Sequence, residues 1–99
     1  MHGFVPDAHP ILKAVNKNKT IMEIGAGYGS LTKAIASQEP KKILAIEKDK
    51  KLSIFLKNKF KNYHNIKIIN RDFLNVIKEN NVEKNIIVFG NLPYNTSTK

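Results

Sequence analysis

The sequence predicts an open α/β fold in which a parallel sheet is wound with helices. Three observations predict it. Short β-branched runs alternate with helically spaced segments, the second and fourth runs are apolar throughout, and the distinctive polar residues fall just after the runs. Open sheets of this kind bind ligands at the carboxyl ends of their strands, so the third observation also marks where a site would form.

The elements follow in order. Residues Pro10 to Asn16 place Ile11, Leu12 and Val15 at helical spacing. Thr20 to Ile24 is a β-branched run ending in a glycine-rich turn, and reads as the first strand. Ser30 to Ser37 reads as a helix with Leu31, Ala34 and Ile35 on one face, and Pro40 helps to stop it. Ile43 to Ile46 is the second strand. Lys50 to Phe60 is an amphipathic helix, with Leu52, Phe55, Leu56 and Phe60 expected inside and Lys51, Lys57 and Lys59 outside. Ile66 to Ile69 is the third strand. Phe73 to Lys78 is a short helix expected to pack through Phe73, Leu74 and Ile77. Ile86 to Phe89 is apolar at every position, which predicts a central fourth strand.

Composition narrows the class. The 99 residues allow one small domain, and 41% hydrophobic with 25% charged residues is ordinary globular composition. The sequence has no cysteine, so disulfides, thiolate metal sites and a cysteine nucleophile drop out. No apolar run approaches the roughly 20 residues of a membrane span. Met1 to Asp7 carries no signal-peptide core. A cytoplasmic protein without a membrane partner is therefore expected, with an organellar location left open. The formal charge is +9, and every basic residue except Arg71 is lysine. Such a field attracts polyanions. The abundance of Lys, Asn and Ile equally fits an AT-rich coding bias, because the lysines are spread along the chain. His2, His9 and His64 lack metal-ligand spacing and read as surface or loop residues, so no metal site is expected.

Four constellations follow the four strands. The first is Glu23-Ile24-Gly25-Ala26-Gly27-Tyr28-Gly29. A dinucleotide fingerprint starting at Gly25 would need glycine where Ser30 stands. Alternating glycines at 25, 27 and 29, with an acid two residues ahead, resemble instead the nucleoside-binding loop of S-adenosylmethionine-dependent methyltransferases. The second is Glu47, about twenty residues beyond the loop, where a carboxylate can accept both ribose hydroxyls of a nucleoside. That feature is common to nicotinamide and methyl-donor enzymes. Asp49 reads as a surface residue or a cap for the next helix. The third is Asn70-Arg71-Asp72-Phe73. Asp72 is positioned either to accept a hydrogen bond from a cofactor adenine, with Phe73 beside the ring, or to cap the following helix.

The fourth, Gly90-Asn91-Leu92-Pro93-Tyr94-Asn95, is the most specific. An adenine 6-amino nitrogen is a poor nucleophile because its lone pair is conjugated with the ring. An amide oxygen from Asn91 and a backbone carbonyl from Leu92 or Pro93 could accept both amino hydrogens and free the lone pair. Pro93 would stiffen the loop, and Tyr94 would stack on a base swung out of its helix.

With these residues together, the chain resembles the ribosomal RNA adenine N6-dimethyltransferases. This group includes the small-subunit RNA dimethylases and the macrolide-resistance methylases of large-subunit RNA. The likeness runs from about Phe4 to Thr98 and includes Asn95-Thr96-Ser97-Thr98. It implies a Rossmann-like S-adenosylmethionine-dependent methyltransferase fold, with S-adenosylmethionine as cofactor and ribosomal RNA as partner. Leu92 leans toward the small-subunit type. The implied cofactor-binding residues are Phe4, Glu23, Gly25, Gly27, Gly29, Glu47, Lys48, Asp72, Phe73 and Asn91. The implied catalytic residues are Asn91, Pro93 and Tyr94.

The departures from the family are His2 in place of the usual glutamine, Ala26 where proline is common, and the end at Lys99. The resemblance thus implies that residues 1–99 are the N-terminal part of a methyltransferase domain. Further strands and a C-terminal helical RNA-binding domain would be absent, and the full-length protein is expected to be a monomer. The alternatives are a non-catalytic RNA-binding or transcription-factor relative, a macrolide-resistance type methylase, a nicotinamide-dependent dehydrogenase, and a decayed fragment.

Overall fold

The computed structural model describes residues 10–79 and 85–90. A 3-10 turn at Pro10–Ala14 precedes β1 (Thr20–Ile24), α1 (Ser30–Ser37), β2 (Lys42–Ile46) and α2 (Lys50–Lys59). These are followed by β3 (Ile66–Ile69), α3 (Phe73–Glu79) and β4 (Ile86–Gly90). The strands form one sheet in the order β3-β2-β1-β4, and all the pairings are parallel.

Register decides what each face buries. Ile21 pairs with Ile43 and Ile87, and Ile43 with Ile66, so these isoleucines share a face. Leu31, Ala34 and Ile35 of α1 pack there, joined by Ile11, Leu12 and Val15. Leu56 of α2 and Phe60 at its C-terminal cap pack on Ala45, Ile66 and Ile68. The opposite face presents Met22, Ile24, Ile46 and Ile69, which meet Phe73 and Val76 of α3. Helices thus cover both faces, the arrangement that parallel strands require.

The ends of the helices explain their lengths. α1 begins after Gly29, whose φ is +86°. It stops where Glu39 turns into the left-handed region (φ +56°) just before Pro40. Asp49 caps α2 by accepting the Leu52 N–H at 2.9 Å.

The structure corrects three expectations. The first apolar segment is a short 3-10 turn rather than a full helix, although Ile11, Leu12 and Val15 do reach the core. Phe55 is 43% exposed. The inward stripe of α2 runs through Ser53, Leu56 and Phe60, and Phe55 lies about 100° round the helix from Leu56. Leu74 is 57% exposed for the same reason, because Phe73 and Val76 form the inward stripe of α3. Ile77 has no described side chain. In the described sheet β1, buried at every position, lies between β2 and β4. β4 pairs only with β1 among the described residues, and Val88 is half exposed. No described helix is long and apolar enough to cross a membrane.

Candidate cofactor site

The carboxyl ends of β1, β2 and β3 open into a cleft of about 890 Å³. Its apolar floor includes Ile24, Ile46, Leu52 and Phe73, and its rim carries Glu47, Lys48, Arg71 and Asp72. The glycine loop forms one wall through Gly25, Ala26 and Gly27.

The glycines of the loop do different jobs. Gly25, Gly27 and Gly29 all have positive φ, at +78°, +61° and +86°. A Cβ on Gly27 would find only the Gly25 carbonyl, at 4.0 Å, so a ligand can approach the backbone closely there. A Cβ on Gly29 would lie 2.7 Å from the Phe60 ring and 2.9 Å from Leu56. Gly29 therefore lets the loop rest on α2, and it does not line the cleft.

Glu47 is the best-held polar group in the cleft. It is 7% exposed. Its Oε1 accepts the Gly27 N–H at 2.9 Å and its Oε2 accepts the Asp49 N–H at 3.0 Å. The segment behind it is clamped by Asn70, whose Nδ2 donates to the carbonyls of Glu47 (2.9 Å) and Lys48 (3.1 Å). Gly25 N–H donates to the Ile46 carbonyl at 2.8 Å, tying the loop to β2. One carboxylate thus links loop, strand and α2 before any ligand arrives.

Asp72 stands at the other end of the cleft and is exposed. Its Oδ1 accepts the Leu74 N–H at 3.0 Å, which caps α3. Its Oδ2 is a separate acceptor on the cleft rim, so capping and ligand binding are compatible. Phe73 is half-buried in the floor, and Lys48 is exposed at the rim.

Glu23 occupies a different position. It is fully buried on β1 and does not line the cleft. Its carboxylate accepts the Thr32 hydroxyl, which ties β1 to α1 across the glycine loop. The expected residues Phe4, Asn91, Pro93 and Tyr94 lie outside the described residues.

Sequence reasoning gave no role to Asn70, Thr32 or Tyr28. Asn70 and Thr32 act on partners 22 and 23, and 9, positions away, respectively. Such bonds leave no local periodic signal. Tyr28, 68% exposed, lines the cleft; its place inside the glycine loop was the available clue.

Among the described residues, the cleft is lined by the carboxylates of Glu47, Asp49 and Asp72, with the cations Lys48 and Arg71 beside them. Carboxylate oxygens are acceptors, the kind of group that hydroxyl and amino donors can bond. Parallel topology, an alternating glycine loop and an acid after β2 together define the Rossmann-like fold of S-adenosylmethionine-dependent methyltransferases.

Comparison with known proteins then fixes the family. Residues 8–99 match the ribosomal RNA adenine dimethylase family, and the chain belongs to it. A ribosomal RNA small subunit methyltransferase A from Pelagibacter ubique is 49% identical over 82 residues, covering 83% of this chain and 30% of that protein. Among solved structures, the 23S rRNA methyltransferase ErmE superposes with a TM-score of 0.70 at 24% identity. The match covers 94% of this chain and 38% of ErmE. A dimethyladenosine transferase from Plasmodium falciparum gives a TM-score of 0.64 at 23% identity, over 87% of this chain and 33% of that one. The chain therefore spans about a third of the length of these relatives.

Proposed function

We propose that the protein transfers methyl groups from S-adenosylmethionine to the 6-amino nitrogen of adenine in ribosomal RNA, with dimethylation of small-subunit RNA as the reaction. The observation that carries this is the Glu47 carboxylate, fixed at the cleft by the N–H groups of Gly27 and Asp49. Its lone pairs suit the ribose hydroxyls of a nucleoside. Ser30 stands where a dinucleotide fingerprint needs its third glycine, which favours a methyl donor over a nicotinamide dinucleotide.

When bound, S-adenosylmethionine supplies an electrophilic methyl group. Glu47 would hold its ribose, Asp72 its adenine amino group, and Phe73 its ring face. Gly25 and Gly27 would let the backbone approach it, with Lys48 and Phe4 at its edges. Glu23 and Gly29 would act indirectly, the first through Thr32 and the second through Phe60, by fixing the loop. Asn91 and a neighbouring carbonyl would accept the hydrogens of the target amino group, Pro93 would hold them in place, and Tyr94 would stack on the base. We place residues 1–99 in the N-terminal part of the methyltransferase domain and the working protein, a monomer, in the cytoplasm with the ribosome. The small-subunit reading over the macrolide-resistance type is supported by Leu92 and by the name of the Pelagibacter relative.

Thermal unfolding with S-adenosylhomocysteine, against NAD as control, tests the cofactor. At about 100 times its dissociation constant, a ligand stabilises the folded state by about 2.7 kcal/mol. A rise with S-adenosylhomocysteine alone is expected. A cooperative melt indifferent to it, or equally responsive to NAD, would refute the cofactor assignment. Incorporation of labelled methyl into small-subunit rather than large-subunit RNA then tests the substrate.

A further inference from the structure

The outer face of α2 has a composition that packing does not require. Every charged residue from Lys50 to Arg71 is basic. Within that stretch Ile54 is 58% and Phe55 43% exposed. Across the glycine loop, Tyr28 meets Phe55 edge to face, with ring centroids 5.5 Å apart and planes at 81°. Lys59 braces the pair. Its Nζ donates to the Tyr28 carbonyl at 2.7 Å and stands 5.7 Å from the Phe55 centroid. Lys51, Phe55 and Lys59 follow at four-residue steps and so share one face of the helix. Tyr28 also lines the cleft. A strip of exposed rings edged by ammonium groups therefore begins at the mouth of the cofactor site.

We propose that this strip, formed by Tyr28, Phe55, Lys51 and Lys59, is a track on which single-stranded RNA lands beside the cleft. Charge alone would suit any polyanion. The rings select among them, because sites for single-stranded nucleic acid combine a cationic groove with aromatic faces on which bases stack. An acidic peptide could use the lysines but would gain little from exposed ring faces. The proposal rests on the reading that RNA is the substrate, and it adds a contact surface outside the transfer chemistry. Lys59 serves mainly to hold the loop against α2, and Lys51 meets the phosphates.

The test is fluorescence anisotropy of a short labelled single-stranded RNA against this chain over a range of salt, with a labelled polyglutamate peptide as the competing polyanion. Phe55→Leu keeps apolar contact with Tyr28 and removes the stacking face, and a melt of each variant verifies folding. Phe55→Leu is expected to weaken RNA roughly tenfold and to leave the peptide unchanged, while Phe55→Trp holds or improves RNA affinity. Lys51→Gln should reduce the salt slope by about 0.7. The track is overturned if Phe55→Leu binds RNA as the parent does, if it weakens RNA and peptide alike, or if the parent binds both equally. Methyl transfer by the parent, measured alongside, separates the failures. Transfer to RNA with an indifferent Phe55→Leu refutes the track alone, and transfer to a non-RNA acceptor in place of RNA refutes the substrate reading.

Discussion

The two ends of the cleft hold their carboxylates in opposite ways. Glu47 is nearly buried, and each of its oxygens takes a backbone N–H from a different segment. Asp72 is exposed and takes one N–H, from the helix it begins. The first group is fixed by the fold as a whole, and the second by its own neighbours. A group already oriented loses less freedom on binding, so the Glu47 end should supply most of the ligand affinity and the Asp72 end should refine it.

The largest effect should therefore come from Glu47→Ala. Hydrogen bonds to a charged acceptor are each worth about 1.5–3 kcal/mol. Losing the carboxylate should cost roughly 100-fold in S-adenosylhomocysteine affinity by titration calorimetry. The fold should suffer too, since the N–H groups of Gly27 and Asp49 lose their acceptor. Equal losses from Glu47→Ala and Asp72→Ala would erase the contrast between the two ends.

The glycine loop offers a sharper version of the same comparison. Gly29→Ala meets the ring of Phe60 and the Leu56 methyl at distances no Cβ tolerates, and at φ +86°. A destabilisation of about 2–3 kcal/mol is expected from the shift in the urea midpoint. Gly27→Ala has open space and pays only for its backbone, about 1 kcal/mol. Its cost should fall instead on cofactor affinity, because the new methyl stands on the cleft wall. If both variants lost stability equally, the division between a packing glycine and a ligand-facing glycine would be wrong.

Much of this was legible in the sequence. Thr20 to Ile24, Ser30 to Ser37 and Ile66 to Ile69 coincide with observed elements because period and punctuation agreed there. Phe55 and Leu74 were misplaced because each sits beside another apolar residue, and periodicity does not choose which of two neighbours turns inward. The places of Glu47 and Asp72 on the cleft were legible from their positions after strands. Asn70 and Thr32 were not, since their partners are distant in sequence. Glu23 was read as a cofactor residue, whereas it is buried off the cleft and bonded to Thr32, a matter of three-dimensional packing.

Asp72 carries the smallest and most informative prediction. Asp72→Ala removes the cap of α3, which should cost about 1 kcal/mol of stability. It should also weaken S-adenosylhomocysteine by only a few fold. Those losses have separate causes, and Asp72→Asn distinguishes them. Asparagine caps a helix about as well as aspartate, so stability should return to the parent value. Its amide has one acceptor oxygen where the carboxylate has two, and that oxygen is committed to the Leu74 N–H. Nucleoside affinity should therefore stay reduced while the melt recovers. If affinity recovers along with stability, Asp72 is a cap alone, and the adenine end of the cleft must be held by Phe73 and the loop around it.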